Sequence, residues 1–216
     1  MFQSLGLKNV MPNSLPEAFG QGSEVWNTDF SIAIGQHVLI SAESGKGKST
    51  LISILYGIKK SFSGSFLVNG ADSKLLSAGE WSELRGQDIS IVFQDLRLFP
   101  ELSVRENLLL KANLLHESFD FEEAIGMCAV LGVEKYLERP AKTLSYGERQ
   151  RVAIVRSLIQ QAGIILMDEP FSHLDRQNTE IALELILEKT RKSGSALLIT
   201  SLGQDFGWKY DRIVQL

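Results

Sequence analysis

The sequence predicts an α/β chain: a mostly parallel sheet, an N-terminal antiparallel β subdomain before it and a helical subdomain at about residues 95–160. Three observations predict it. The apolar run Val38-Leu39-Ile40 passes through a glycine loop, Ala42 to Thr50, into a helical run that begins Leu51-Ile52-Ser53-Ile54-Leu55. Further apolar runs, Ile89 to Phe93, Ile164 to Met167 and Ala196 to Thr200, alternate with stretches of helical spacing, the order of a parallel sheet covered on both faces. From Ser103 to about Leu137 the apolar faces recur at helical spacing with no β-like alternation.

Before the loop, short β-like segments are broken by turn residues. Leu5 to Val10 is followed by Pro12-Asn13-Ser14, and Phe30, Ile32 and Ile34 alternate with Ser31 and Ala33 as in a half-buried strand. His37 opens the strand that ends at Ile40 and needs no role beyond a strand edge. After the loop, Leu51, Ile52, Ile54, Leu55 and Ile58 predict a helix to about Lys60, and Phe66-Leu67-Val68 before Asn69-Gly70 predicts a strand entering a tight turn. A helical stretch around Trp81 to Leu84 precedes the strand that delivers Gln94 to a loop. Leu108 to Leu110, Leu114-Leu115 and Ala124 to Leu131 are the apolar faces of the helical part, with His116 at a solvated helix end. Ser145 and Glu148 stand in capping-box spacing before the helical run Val152 to Ile159. Gly163 releases the strand that ends in Asp168-Glu169-Pro170, and a helix from about Gln177 to Lys192 turns at Ser193-Gly194 into the last core strand. Arg212 to Leu216 closes the chain.

Two of these stretches carry chemistry. Ala42 to Thr50 follows the pattern G-x-x-x-x-G-K-[ST] with alanine in place of its first glycine, and it sits between strand and helix as a phosphate-binding loop must. Gly45 and Gly47 let the N–H groups turn inward, and the helix behind adds the positive end of its dipole. Lys48 reaches terminal phosphates in such a loop, and Ser49 offers its hydroxyl to magnesium. Ala42 is compatible with the loop if its position needs no positive φ. The second stretch is the apolar strand ending in Asp168 and Glu169; in phosphate-loop enzymes one such carboxylate orders magnesium and its neighbour acts on the attacking water. Together they define a P-loop NTPase core.

Length suits one sizeable core with or without an attached subdomain, and the chain is read as one domain, 1–216. A net charge of -4 gives no basic surface for a phosphate backbone, which disfavours a nucleic-acid partner. The single cysteine, Cys128, lies in an apolar run and reads as a small buried hydrophobe. No apolar run approaches the roughly 20 residues that span a bilayer. The chain therefore reads as cytoplasmic, meeting a membrane only through a partner.

In this order the motifs resemble the nucleotide-binding subunit of an ATP-binding cassette (ABC) transporter, over nearly the whole chain. Ala42, Glu43, Ser44, Gly45, Lys46, Gly47, Lys48, Ser49 and Thr50 look like the Walker A loop and Gln94 like the Q-loop glutamine. Leu144 to Glu148, LSYGE, looks like the LSGGQ signature. Ile164 to Asp168 looks like Walker B with Glu169 as catalytic glutamate, and Ser172-His173-Leu174-Asp175 like the D-loop. Phe19 falls where the family keeps an aromatic that stacks on adenine; simple core packing of Phe19 is the other reading. The stretch Phe93 to Asn107 is similar to the branch serving lipoprotein-release, macrolide-export and cell-division complexes.

The resemblance implies a site that one chain cannot complete. ATP is sandwiched between Walker A of one copy and the signature of a second, where Ser145 and the Gly147 backbone meet the terminal phosphate. Glu169 polarises the attacking water, with Lys48 and Gln94 as its catalytic companions, while Ser49, Gln94 and Asp168 hold Mg2+ directly or through water. The implied partners are a second copy of the chain and a transmembrane permease subunit on the inner face of the cell membrane, met near Phe99, Pro100 and Leu102. One departure stands out: the family's histidine after the last core strand is replaced by Ser201, which is shorter and cannot carry charge. His173 is the nearby substitute, and turnover is expected to be slow. A nucleotide-gated signalling module with hydrolysis as a slow reset is the alternative, and a soluble cassette ATPase of DNA repair or translation is a third reading.

Overall fold

The computed structural model describes residues 2–114 and 119–216; the sequence expectations for Leu115 and His116 lie outside the described residues. The chain runs β1 (Ser4–Pro12), β2 (Asp29–Ala33), β3 (His37–Ser41), α1 (Lys48–Leu55), β4 (Phe62–Val68), β5 (Ala71–Asp72), α2 (Ala78–Gln87), β6 (Ile89–Val92), α3 (Val104–Ala112), α4 (Phe121–Val130), α5 (Tyr146–Leu158), β7 (Ile164–Asp168), α6 (Arg176–Ser193), β8 (Ala196–Ser201) and β9 (Arg212–Gln215). Two sheets form. One has the order β2-β1-β4-β5 and is antiparallel; the other has the order β6-β7-β8-β3-β9 and is parallel at every pairing.

The parallel sheet separates two apolar cores, and strand periodicity does the sorting. Along β7, Ile164 and Leu166 join α1, α2 and the antiparallel sheet, whereas Ile165 and Met167 join α3 to α6. In β8, Leu198 goes one way and Leu197 and Ile199 the other. A side chain on each face of every central strand is therefore buried, which is why these strands read as continuous apolar runs. Each fully buried Leu or Ile contributes about 1.5–3 kcal/mol. Cys128 is fully buried in the helical core, and desolvation pushes its thiol up to about 12, so it packs as a hydrophobe.

Among the described residues, three helices start with a complete capping box: Ser77 with Glu80, Ser103 with Glu106 and Ser145 with Glu148. Only the third is singled out by the sequence reading. Two elements end earlier than their periodicity suggests. α1 stops at Leu55, because the N–H groups of Ile58 and Lys59 both turn back onto the Ser53 carbonyl, and Ile58 is left 49% exposed. β2 buries Phe30 and Ile32 but ends at Ala33, so Ile34 is 48% exposed at the turn. The segment before it is held by the Ser23 hydroxyl, which accepts from the N–H groups of Val25 and Trp26. Trp26 is fully buried there, under the phosphate loop.

Candidate nucleotide site

The strand order places β3, β8, β7 and β6 side by side, so their carboxyl ends bring four loops to one edge of the sheet. This is where open α/β sheets bind ligands. Ala42 to Gly47 leaves β3, with Gly45 and Gly47 at φ 81° and 102°. A side chain at Gly47 would come within 2.7 Å of Leu15 and 3.4 Å of the Trp26 ring. Trp26 also supports the loop from below by donating its indole N–H to the Lys46 carbonyl at 3.4 Å. Ala42 keeps a negative φ, and its N–H donates to the Ser201 carbonyl at 3.1 Å, so no glycine is needed there.

Lys48 begins α1 and is 4% exposed. Its ammonium donates to the carbonyls of Ala42 and Glu43, each at 2.9 Å, and lies 3.2 Å from a Glu169 carboxylate oxygen. All three donors of the ammonium thus have acceptors within the chain. Glu169 itself has φ 47°, a left-handed conformation that a non-glycine residue keeps only where its surroundings impose it.

Part of that surrounding is Thr200, which the sequence reading passes over. Its hydroxyl donates to Asp168 Oδ1 at 2.8 Å and accepts from the Glu169 N–H at 3.0 Å, fixing both acidic residues at once. Burial pushes the Asp168 carboxyl above the usual carboxylate range, against the hydroxyls of Ser49 and Thr200, which pull it down. Replacing Thr200 by valine keeps the shape but strands a buried N–H and a carboxylate oxygen. The expected result is a loss of about 1–3 kcal/mol in stability, read by denaturant titration, and about tenfold in turnover. Unchanged values in both measurements would show that the hydroxyl holds nothing.

Gln94 leaves β6 and meets the loop: its amide oxygen lies 3.1 Å from the Ser49 hydroxyl, which Gln94 and Asp168 share as a donor. Ser49, Gln94 and Asp168 share one cleft and offer only oxygen donors, a set that suits a hard cation such as magnesium. Among the described residues no group of three or more His, Cys, Asp or Glu is placed to hold a metal ion.

The signature stretch begins α5. The Ser145 N–H donates to the Glu148 carboxylate at 2.7 Å, and the Glu148 N–H returns to the Ser145 hydroxyl at 3.3 Å, leaving Ser145 exposed at the N-terminus of a 13-residue helix. Gln150, buried on the inner face of α5, was missed by the sequence reading. Its amide donates to the Glu169 carbonyl at 3.1 Å and to the Ser172 hydroxyl at 3.3 Å, and its oxygen accepts from the His173 N–H at 3.1 Å. The signal that could have found it is a polar residue in step with Ala153, Ile154 and Ser157 on a buried face.

Of the remaining candidates, Phe19 is half-buried beside the loop, with Lys46 Nζ 4.8 Å from its ring centroid. Ser201 is buried at the end of β8, and its hydroxyl closes a turn: it donates to the Gln204 carbonyl at 2.6 Å and accepts from the Gln204 N–H at 2.8 Å. The His173 ring packs against Tyr146 with centroids 4.2 Å apart and the planes tilted by 53°. Phe99 is 56% exposed at the mouth of a groove of about 250 Å3, lined also by Arg97, Leu110, Lys111, Leu114 and Arg156.

A glycine loop holding a buried lysine, a helix-borne serine hydroxyl and two carboxylates after a parallel strand place the chain among P-loop NTPases. The relatives narrow the class. A family model described as ABC transporter matches residues 25–172. The chain is 35% identical over 191 residues to the lipoprotein-releasing system ATP-binding protein LolD of Legionella pneumophila strain Paris, covering 87% of this chain and 84% of that protein. Among solved structures it is similar to the dimeric structure of MJ0796, a bacterial ABC transporter cassette, with TM-score 0.84 and 27% identity over 98% of this chain and 94% of that one. It is also similar to a dimeric post-hydrolysis state of the same cassette bound to ADP and Pi, with TM-score 0.83 and 27% identity over the same shares. The chain belongs to the ABC transporter family, as an ATP-binding subunit with ATPase activity.

Proposed function

We propose that two copies of this chain pair head to tail, each closing the other's ATP site, and drive a separate membrane subunit of a lipoprotein-releasing type of transporter. The observation that carries this reading is the division of the site within one chain. Lys48, Ser49, Gln94, Asp168 and Glu169 converge on one cleft, while Ser145 and the Gly147 backbone stand at the exposed N-terminus of α5, free to meet a phosphate held by a second copy. Arrangement as a dimer in the MJ0796 cassette and 35% identity to a protein named for lipoprotein release support it.

In this reading the N–H groups of Ser44 to Thr50 cradle the phosphates, and Lys48 exchanges its contact with Glu169 for a terminal phosphate oxygen. Glu169, released from Lys48, becomes the acceptor that orients and deprotonates water. Ser49, Gln94 and Asp168 hold Mg2+, which supplies charge neutralisation at the phosphate oxygens when bound. Phe19 stacks on adenine in place of its present contact with Lys46. Residues at about 95–160 act as the helical subdomain, and the groove beside Phe99 receives an element of the permease on the inner face of the membrane. That groove is lined by Arg97, Lys111 and Arg156, and a partner carboxylate would be favoured against these basic side chains. No nucleic-acid surface is part of this reading.

The test is Mg2+-dependent ATP hydrolysis by the purified chain with its membrane partner, together with ATP-dependent dimerisation measured by light scattering. A chain that stays monomeric at saturating ATP when Glu169 is replaced by glutamine would sink the paired site.

One observation favours a second reading, a nucleotide-gated module that hydrolyses slowly. The Ser201 hydroxyl exchanges two hydrogen bonds with Gln204, and in this second reading it stays there and does not replace the family's histidine at the terminal phosphate. Ser201→His is expected to raise turnover by about tenfold, part of the 10²–10³ that one transition-state donor is worth. Unchanged turnover would mean that this position does not limit the rate, and would favour another cause for any slowness.

A further inference from the structure

The signature helix grips the loop after β6 at both ends. Near its start, the Tyr146 hydroxyl donates to the main-chain carbonyl of Gln94 at 2.6 Å, while its ring packs at a tilt against His173. Near its end, the Arg156 guanidinium donates to the carbonyls of Leu96 at 2.6 Å and Arg97 at 2.7 Å. The loop needs such a grip, because Leu96 and Arg97 are consecutive non-glycine residues at φ 60° and 47°, a conformation that side-chain-bearing residues avoid. Tyr146 stands at a position where LSGGQ has glycine, so a bare signature sequence would lack this contact. Its carbonyl acceptor belongs to the residue whose amide oxygen meets Ser49 on the cation side of the cleft.

We propose that Tyr146 is a positioning residue that holds the Gln94 amide against Ser49 through the Gln94 main chain. It thereby ties the half-site this chain offers to a second copy, Ser145 and Gly147, to the cation side of its own ATP site. Tyr146 is the residue between them, on a helix that cannot shift at its first turn without drawing on the Gln94 carbonyl. The inference rests on the site reading above, in which Gln94 serves Mg2+ and Ser145 serves the second copy.

Tyr146→Phe removes the donor and keeps the ring on His173. The first readout needs neither nucleotide nor metal: amide hydrogen exchange at Leu96 and Arg97, whose N–H groups are bonded to the Phe93 and Asp95 carbonyls, is expected to quicken about 3- to 10-fold, the worth of one neutral hydrogen bond. The second is the Mg2+ concentration for half-maximal turnover, expected to rise by a similar factor with KM for ATP unchanged. In a Gln94→Ala background, Tyr146→Phe is expected to change the Mg2+ requirement no further. The proposal is overturned if exchange and Mg2+ requirement both match the wild type, or if Tyr146→Phe raises the Mg2+ requirement equally with and without the Gln94 side chain. A Glu169→Gln variant that keeps full turnover would remove the site reading and this inference with it. Loss of turnover in Glu169→Gln with an unaltered Tyr146→Phe would remove this inference alone.

Discussion

Glu169→Gln is expected to lower ATP turnover by about 10²–10³-fold while leaving nucleotide binding intact. Glutamine has the same shape and keeps an oxygen for Lys48, so the Nζ contact at 3.2 Å survives as a neutral hydrogen bond. What disappears is a group that can accept a proton. The Glu169 backbone is held independently of its side chain, by Thr200 at the N–H and Gln150 at the carbonyl, so its position after β7 should persist. Stability should fall by about 1–3 kcal/mol, because Lys48 keeps an acceptor but loses its charged partner. Steady-state hydrolysis and equilibrium binding of a fluorescent ATP analogue separate the two effects. Turnover within threefold of wild type would remove Glu169 from the chemistry.

Gly147→Ala tests the contact between the signature helix and the D-loop. A Cβ at this position would lie 2.8 Å from the His173 carbonyl oxygen, main chain against main chain, where no flexible side chain can yield. Either α5 or the segment Ser172 to Leu174 must move, and the three hydrogen bonds of Gln150 join those same parts to Glu169. The expected cost is about 1–3 kcal/mol. In a chain of this size that is a fall of about 2–10 °C in Tm. Turnover is expected to fall at least tenfold, because the Gln150 bonds that hold Glu169 are strained together with the D-loop. Gly126→Ala is the control: it lies inside α4, nothing lies within 4 Å of the added Cβ, and alanine there should stabilise by about 0.5–1 kcal/mol. Equal Tm values for the two variants would mean that the approach at Gly147 is not tight.

The class of fold and the pieces of the site that lie on single strand ends were legible in the chain. Val38 to Ile40, Ile164 to Met167 and Ala196 to Thr200 read as buried strands because both faces of a central parallel strand are covered, so their apolar runs are unbroken. The glycine loop and the pair Asp168-Glu169 were legible because each is a few consecutive residues with a required neighbour on either side. The end of α1 and the capping boxes at Ser77 and Ser103 show the limit of the same approach. Apolar spacing ran past Leu55 to Ile58, while the actual stop is set by where the Ser53 carbonyl finds its donors.

The bonds that hold the site together were not legible, and they share one property: each joins residues far apart in sequence. Thr200 meets Asp168 and Glu169 from 32 and 31 positions away, Tyr146 meets Gln94 from 52, and Arg156 meets Leu96 from 60. Trp26 lies under the phosphate loop 20 residues ahead of its partner Lys46. Ser201 is the exception in range, since its hydroxyl bonds Gln204 three residues on, in a turn that apolar spacing does not reveal. Local sequence determined which residues could serve phosphate and carboxylate chemistry, because periodicity and turn geometry act within a few residues. Only the order of strands decided which hydroxyl, amide and ring hold them, because hydrogen bonds are made across the sheet edge between neighbours that the chain itself keeps apart.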